Sequence, residues 1–456
     1  MAGGPLIMVT FPMRYFSTRG RGEGVGFAAA ALAGLAPDGG LYVPEEVPPY
    51  PGAVRSSLGT MDFPSLAWET IKPWVYPEIP GGVLEEMVHA AYPFSAPLVE
   101  VGDRLVLELF HGPTAAFKDF GARFMARAFS YLRRGENRPL HILAATSGDT
   151  GGAVADGFFG VEGINVTVLY PKGRVSPLQE RQIAGLGGNI SALAVEGSFD
   201  DCQALVKAAF GDGDLRKRLE LSSANSINVS RLIPQIVYYS AGAGAASRRG
   251  AGKNAGSGPG ITFCVPSGTF GNLTAGLYAM KMGAPIAGFI AATNANRTVP
   301  DYLESGSYRA RNSQATLSNA MDVGAPSNFE RMAAHFSWEE MRRIIQGASV
   351  SDSETRTTIA EVREKRGYFL DPHSAVGWRA ADLTRERGGL PPPPWNFSSP
   401  RPLGILATAH PAKFAETVEP LTGPVPVPPS LRKVMERKVE ARNIPANLDA
   451  LKGCLL

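Results

Sequence analysis

Short apolar runs alternate with helical patterns through the chain after residue 95. Seven runs are rich in apolar residues, and several of them end in a loop of small polar residues; they begin at residues 104, 139, 165, 190, 261, 285 and 402. Strands that alternate with helices favour a mostly parallel sheet covered by helices. Because ligands of such sheets bind beyond the carboxyl ends of the strands, we expect the chemistry to lie in the loops that follow these runs.

The pattern also divides the chain into domains. Residues 1–13 have the character of a loose leader, and a helical pattern then ends near Tyr92 and Pro93. We therefore place a small domain at 14–94, followed by a catalytic domain at 95–425. The remaining residues, 426–456, are predicted to form a helical tail.

Two segments interrupt the catalytic domain. Residues 241–260 (AGAGAASRRGAGKNAGSGPG) are small, polar and Gly-rich, which predicts a flexible solvated loop. Residues 388–400 contain four consecutive prolines, which predict a semi-rigid extended connector. We find no internal repeat.

The composition excludes several classes of function. The 456 residues are 44% hydrophobic, and 45 Lys and Arg face 42 Asp and Glu for a net charge of +3. A net charge so close to neutral does not predict a basic surface that would bind nucleic acid or an anionic membrane. No apolar run is long enough to span a bilayer. Three scattered cysteines suit neither a disulfide framework nor a zinc site. We therefore expect a cytoplasmic protein with no nucleic-acid partner and no membrane partner.

The histidines predict no metal site, since the six of them lack metal-ligand spacing. His111, His373 and His410 lie in loops whose composition suits a functional site. The other three are interpreted as structural or surface residues.

Two loops have the composition of anion sites. Residues 144–152 (AATSGDTGG) follow a strand pattern and precede a helical one, so small residues and a helix N-terminus could receive a carboxylate, with hydroxyls from Thr146, Ser147 and Thr150. The alternative is a helix cap with a tight turn. Residues 266–276 (PSGTFGNLTAG) repeat this layout and form a candidate phosphate cradle, although they match neither a P-loop nor a GxGxxG motif.

Lys118 and Arg231 are the candidate charged groups. Lys118 lies in an apolar neighbourhood at the start of a predicted helix, where a lowered pKa would suit Schiff-base formation with a carbonyl cofactor. Ser226 and Arg231 are spaced to face one anion across a helix start. The alternatives are a surface lysine, and a capping residue with an exposed arginine.

The sequence resembles the threonine synthase family, pyridoxal-phosphate enzymes of the tryptophan-synthase-β-like fold (fold type II). The resemblance covers nearly the whole chain from about residue 15. It is carried by YFSTRG (15–20), APDGGLYVPE (36–45), ELFHGPTAAFKDFGARFMA (108–126), ATSGDTGGAVA (145–155), LYPKGRVSPLQE (169–180), NSINVSRLIPQIVYY (225–239), VPSGTFGNLTAGL (265–277), ATLSNAMDVGAPSN (315–328), DPHSAVG (371–377) and LATAHPAKF (406–414).

The resemblance implies an α/β fold with two parallel-sheet subdomains and a small N-terminal α/β domain. It implies that Lys118 is the catalytic lysine that binds pyridoxal 5′-phosphate covalently. The other implied cofactor-binding residues are Asp149, near the ring hydroxyl, Thr408, facing the pyridine nitrogen, and the phosphate-binding Gly268, Thr269, Phe270, Gly271 and Asn272. The implied substrate-binding residues are Thr146, Ser147 and Thr150 for the carboxylate, and Ser226 and Arg231 for the phosphate.

The implied reaction converts O-phospho-L-homoserine and water to L-threonine and phosphate, in a monomer or homodimer. The phosphate loop departs from the family pattern because Thr269 stands where Asn is usual, which removes an amide donor. This departure leaves open a phospho-lyase that releases 2-oxobutyrate from the same substrate. A cofactor-binding protein without activity and a nucleotide-binding protein are further alternatives.

Overall fold

The computed structural model describes residues 12–250, 260–388 and 402–456. Its strands are β1 (Tyr15–Ser17), β2 (Gly20–Val25), β3 (Tyr42–Pro44), β4 (Leu98–Val101), β5 (Arg104–Glu108), β6 (Leu140–Ala145), β7 (Ile164–Pro171), β8 (Ile190–Glu196), β9 (Glu220–Ser223), β10 (Ile261–Pro266), β11 (Ile286–Thr293), β12 (Ile345–Ser349), β13 (Leu403–Ala407) and β14 (Arg442–Pro445). Its helices are α1 (Phe27–Ala33), α2 (Gly52–Ser57), α3 (Phe63–Val75), α4 (Gly81–Ala91), α5 (Lys118–Leu132), α6 (Asp149–Phe158), α7 (Pro177–Ala184), α8 (Phe199–Gly211), α9 (Gly213–Arg218), α10 (Val229–Leu232), α11 (Gln235–Gly250), α12 (Gly271–Met282), α13 (Thr298–Ser305), α14 (Phe329–His335), α15 (Trp338–Ile344), α16 (Asp352–Arg366), α17 (Pro372–Glu386), α18 (Ala415–Thr422), α19 (Pro429–Met435) and α20 (Leu448–Leu455). Short 3-10 turns lie at Asn319–Met321 and Pro411–Phe414.

The strands form three sheets. Strands β2, β1 and β3 pair antiparallel in that order near the N-terminus. A six-stranded sheet has the order β12-β11-β10-β13-β5-β4 and is parallel except for the β4–β5 pair. A five-stranded, fully parallel sheet has the order β14-β8-β7-β6-β9. The predicted α/β class with two parallel-sheet subdomains is confirmed, and each of the seven apolar runs forms a strand.

Burial explains why these strands appear as continuous apolar runs in the sequence. Every residue of β10 and β11 is buried, and Cys264 pairs in register with Ile290 between them. Helices cover parallel sheets on both faces, so neither face of such a strand needs polar residues. The continuous apolar runs therefore identified strands whose two faces are both in the core.

The N-terminal unit shares its core with the rest of the molecule. Trp74 of α3 stacks on Tyr278 of α12 with ring centroids 5.5 Å apart. Phe63 and Tyr92 contact Phe120 of α5. One apolar cluster consequently runs from the first strand into the six-stranded sheet.

One prediction about local structure is wrong, and a second is incomplete. Residues 241–250 are not a flexible loop but the second half of α11, and residues 251–259 lie outside the described residues. The small side chains serve close packing, because a Cβ on Gly244 would lie 2.5 Å from the backbone nitrogen of Gly59. The C-terminal segment 426–456 is not only helical, because β14 pairs with β8 and extends the five-stranded sheet.

Most of the predicted leader and of the proline-rich connector also lies outside the described residues. Within the part of the chain that is described, no helix has the length and apolar character needed to cross a bilayer.

Candidate active site

A pocket is lined by residues that follow strands of both parallel sheets, and its empty space, including solvent at the open mouth, is about 560 Å³. The sequence-predicted residues that line it are Lys118, Asp149, Thr150, Ser226, Arg231, Gly268, Thr269, Gly271, Asn272 and Thr408. The loops after strands of parallel sheets thus bring together residues far apart in sequence, as the strand pattern predicted.

Three predicted residues are not among the residues that line the pocket. Thr146 is buried, and its hydroxyl accepts hydrogen bonds from the N–H groups of Gly148 and Gly151 at 2.9 and 2.8 Å. The turn-and-cap alternative therefore describes Thr146. Ser147 is half-buried. The ring of Phe270 is buried in the core, and its backbone has a left-handed φ of 63° that turns the chain into α12.

Lys118 is positioned by a loop that is hydrogen-bonded to the segment after β13. The N–H of Phe117 donates to the carbonyl of Thr408, and the N–H of His410 donates to the carbonyl of Ala115. Ala115 has a φ of 54°, a strained value for a residue with a Cβ. This pairing ties the start of α5 to the segment after β13, so the lysine has a defined place in the pocket.

The amine of Lys118 is set up to lose its proton easily. Its Nζ donates a hydrogen bond to Thr150 Oγ1 across 2.6 Å. Burial lowers the pKa of the amine to about 8, and Arg231 and Lys413 act in the same direction while Asp149 opposes them. A neutral amine is the form that attacks a carbonyl, so Lys118 suits covalent capture of an aldehyde.

Residues 268–272 form an anion cradle at the N-terminus of α12. Their backbone N–H groups donate to no acceptor within the described residues. The loop is fixed by Asn272, whose Nδ2 donates to the carbonyl of Pro266 at 2.8 Å and whose Oδ1 accepts from Ser267. A Cβ on Gly268 would lie 2.8 Å from the carbonyl oxygen of Ala320, so only glycine fits there. Free amides at a helix start favour a phosphate.

Arg231 is a buried cation that faces the pocket. It is 3% exposed, and Nη1 donates to the carbonyl of Ala224 at 2.5 Å. Within the described residues, the Nε of Arg231 has no hydrogen-bond partner. No carboxylate of these residues lies within 4 Å of the Arg231 guanidinium. Burial lowers the pKa of Arg231 to about 10, so the group stays charged at neutral pH. An anionic ligand would supply the missing partner.

Sequence reasoning missed the residue that supports Asp149. Asp149 begins α6, and its Oδ1 accepts from Lys413 Nζ at 2.7 Å and from Gln179 Nε2 at 3.0 Å. Burial by itself raises the pKa of Asp149, but Lys413, His373 and Lys118 lower it to about 2. Lys413 belongs to the TAHPAKF segment, where it lies between the apolar residues Ala412 and Phe414. This apolar setting was the sequence feature that indicates a buried lysine.

His373 is the one histidine of the three suspected that lines the pocket. Its Nδ1 lies 2.7 Å from Asp371 Oδ1, and its Nε2 accepts a hydrogen bond from the N–H of Ala320 at 3.2 Å. Because Nε2 accepts a hydrogen bond, the ring proton of His373 lies on Nδ1, where it is donated to Asp371. The two hydrogen bonds hold the segment bearing Ala320 against the pocket. No group of three or more His, Cys, Asp or Glu side chains suited to a metal ion occurs within residues 12–250, 260–388 and 402–456.

Three family models match the chain. The model for pyridoxal-phosphate dependent enzymes matches residues 98–395, that for the threonine synthase N terminus matches 14–92, and that for the threonine synthase C-terminal region matches 374–454. These three matches together span almost the whole sequence.

Relatives match over nearly their full length. Threonine synthase of Escherichia coli K12 is 41% identical over 97% of this chain and 99% of its own, and that of Saccharomyces cerevisiae is 35% identical over 89% and 88%. Among solved structures, the Escherichia coli enzyme has a TM-score of 0.84, with 97% of this chain and 99% of that chain covered. The pyridoxal-phosphate-bound Brucella melitensis threonine synthase has a TM-score of 0.85 at 38% identity, with 97% and 98% covered.

Proposed function

Because the chain belongs to the threonine synthase family, we propose that its pocket converts O-phospho-L-homoserine and water to L-threonine and phosphate. The observation that carries this proposal is that Lys118, a free anion cradle and the buried Arg231 line the same pocket. One amine and two separate anion sites are what a phosphorylated cofactor and a phosphorylated substrate require together.

The residues fit the cofactor of the family, pyridoxal 5′-phosphate. The free N–H groups of residues 268–272 would hold its phosphate, and Lys118 would bind its aldehyde carbon. Thr408 lines the same pocket and would offer its hydroxyl to the pyridine nitrogen. When bound, the cofactor supplies an electron sink for negative charge that develops on the substrate.

Lys118 is the proposed acid and base of the reaction. Its Nζ would take a proton from Cα of the substrate and move protons at Cβ. An amine whose pKa is about 8 exchanges protons in either direction near neutral pH, which is the condition for efficient general acid–base catalysis. Thr150 holds the nitrogen by accepting its hydrogen bond.

The start of α6 is the proposed carboxylate site. The N–H groups of Ser147, Asp149 and Thr150 donate to no acceptor within the described residues. A substrate carboxylate would accept from them at the positive end of the helix. Thr146 would contribute indirectly, because its hydroxyl fixes the turn that presents these groups.

Arg231 and Ser226 are the proposed site for the substrate phosphate. The guanidinium would hold the phosphate during binding and stabilise its charge as it departs. The two sites leave the γ-carbon of the substrate on the Arg231 side and its carboxylate on the α6 side. Water must then add at Cβ before the four-carbon product escapes.

Product identification tests the function. Purified, cofactor-loaded protein is incubated with O-phospho-L-homoserine, and the organic product is resolved alongside released phosphate. Threonine in equal amount to phosphate is the expected result. Phosphate accompanied by 2-oxobutyrate would replace the synthase with the phospho-lyase, and Thr269 would become the first residue to examine. Absence of both products would overturn the proposal.

The assembly and location of the enzyme are also proposals. We propose a cytoplasmic enzyme that is a monomer or homodimer, with a family-typical N-terminal domain at 14–94 and a catalytic domain at 95–425. Cys202, Cys264 and Cys454 are free thiols, which suits a reducing compartment.

A further inference from the structure

Lys413 is a buried cation that lies behind the pocket rather than in its lining. Its side chain is fully buried, and the residue follows β13 of the six-stranded sheet. Its Nζ contacts Asp149 Oδ1 at 2.7 Å and donates to the carbonyl of Thr114 at 2.9 Å. It therefore reaches two segments of the site without lining the pocket.

The contacts of Lys413 cross from one sheet to the other. Asp149 begins α6, which follows β6 of the five-stranded sheet. The backbone carbonyl of Lys413 accepts a hydrogen bond from Ser176 Oγ, and Ser176 caps α7 on the same five-stranded side. Thr114 lies in the loop that carries Lys118. Lys413 thus joins the six-stranded sheet, the five-stranded sheet and the loop of the catalytic lysine.

The charges around this junction oppose one another. Asp149 favours the charged form of the Lys118 amine. Arg231 and Lys413 disfavour that form. Asp149 in turn faces Lys413, His373 and Lys118.

A second carboxylate lies close to the same lysine. Asp119 is fully buried and accepts hydrogen bonds from the N–H and hydroxyl of Thr114, whose carbonyl accepts from Lys413. Asp119 also faces Asp156 and Lys413. Removal of Lys413 would leave the Asp149 charge unpaired beside Lys118, and removal of Asp149 would leave the Lys413 charge unpaired.

We propose that Lys413 is a positioning residue whose ion pair with Asp149 offsets the attraction of that carboxylate for the Lys118 proton and ties the protonation of Lys118 to the junction of the two sheets. The inference rests on the proposed role of Lys118 in cofactor binding. It assigns Lys413 no contact with cofactor or substrate. Its effect is electrostatic and depends on the balance between one buried cation and one buried anion.

The test measures how covalent cofactor capture depends on pH. The full chain, freed of cofactor, is mixed with pyridoxal 5′-phosphate at a series of pH values, the adduct is reduced with borohydride, and the Lys118 peptide is quantified by mass spectrometry. Reaction of the cofactor with Nα-acetyl-lysine under the same conditions, divided by the fraction of that amine that is neutral, corrects for ionisation of the cofactor itself. The midpoint of the corrected rate reports protonation of Lys118.

Opposite shifts are expected from the two single variants. Lys413→Met removes a repelling cation and should raise the midpoint by about one pH unit, a tenfold change in proton binding. Asp149→Asn removes the attracting anion, which acts on Lys118 more strongly than Lys413 does, and should lower the midpoint by a larger amount. The midpoint of the double variant should lie between those of the two single variants. Lys413→Arg keeps the charge and should shift it least.

Several outcomes would overturn the proposal. If Lys413 had only a structural role, the midpoints of both single variants would shift in the same direction, or neither midpoint would shift. If Lys413→Met alone does not fold, comparison of Asp149→Asn with the double variant carries the same test, since the double variant has no unpaired charge. The exposed Lys433, changed to Met, is the control and should leave the midpoint unchanged. Capture requires no turnover, so failure of the proposed reaction would appear separately in the product analysis.

Discussion

The side chain of Lys118 donates a hydrogen bond to Thr150 across 2.6 Å, although the two residues lie at the starts of helices that follow strands of different sheets. Lys118 begins α5 after β5 of the six-stranded sheet, and Thr150 lies in the first turn of α6 after β6 of the five-stranded sheet. The amine therefore lies where the two sheets meet. Movement of one sheet against the other would change the surroundings of the reacting nitrogen.

Replacement of Lys118 by Ala should abolish both covalent cofactor capture and threonine formation. No other described lysine lines the pocket, and loss of a proton-transferring group costs about 10²–10⁴ in rate even without loss of the covalent link. Capture is measured on the reduced protein by mass spectrometry, and turnover by threonine release. Lys433→Ala is the matched control. Wild-type turnover in Lys118→Ala would contradict the assignment.

Covalent capture of pyridoxal 5′-phosphate should depend on pH with a midpoint near the lowered pKa of Lys118, about 8. Only the neutral amine attacks the aldehyde, so the rate should rise as pH increases through that value and then level off. An ordinary exposed lysine would continue to gain rate up to its usual pKa of about 10.4. A corrected profile that keeps rising to that value would show that burial does not tune the amine.

Arg231→Met should lower kcat/KM for O-phospho-L-homoserine by about ten- to a hundredfold, because charge-assisted hydrogen bonds contribute about 1.5–3 kcal/mol. Arg231→Lys keeps the charge but lacks the planar guanidinium. Its kcat/KM should lie between the values of Arg231→Met and the wild type. Binding of the product L-threonine, which has no phosphate, should change much less. An equal loss for both ligands would point to a collapsed pocket rather than a lost phosphate contact.

Thr269→Asn should tighten cofactor binding by about two- to tenfold, since one added neutral hydrogen bond is worth about 0.5–1.5 kcal/mol. Thr269 lines the pocket, and its carbonyl already accepts from the N–H of Asn328, so the loop backbone is fixed. The dissociation constant is measured by titrating the cofactor-free protein with pyridoxal 5′-phosphate. Thr269→Ala should weaken binding. Equal affinities in all three proteins would remove the side chain from the cradle.

Gly244→Ala should lower the thermal unfolding midpoint by several degrees. The added Cβ would lie 2.5 Å from backbone atoms of Leu58 and Gly59, and overpacking of this kind costs about 1–3 kcal/mol. Gly82→Ala in α4 is the matched control, because a Cβ there meets nothing within 4 Å. It should leave the midpoint unchanged or raise it slightly. An unchanged midpoint in Gly244→Ala would mean that the turn at Leu58 and Gly59 can move away from α11 at no cost.

The sequence by itself determined the class of fold and most of the pocket. Continuous apolar runs such as β10 and β11 identify strands buried on both faces, because a parallel sheet covered by helices leaves no solvent face to demand alternation. The small-residue loops after them then had to lie at one edge of each sheet. The same pattern predicts that residues 268–272 lie at the start of a helix, where α12 begins.

Only the tertiary structure decided what depends on contacts between distant segments. Small residues at 241–250 suggest flexibility in sequence, but the turn after α2 lies so close to Gly244 that this position must be small, and alanine favours a helix in the rest of the segment. The sequence suggests that the hydroxyl of Thr146 is available to a ligand, but this hydroxyl accepts hydrogen bonds from Gly148 and Gly151 within the local turn. Lys413 and Asp149 lie far apart in the sequence, and a buried ion pair has no periodic signature, because it is formed by two segments that meet only when both sheets are folded.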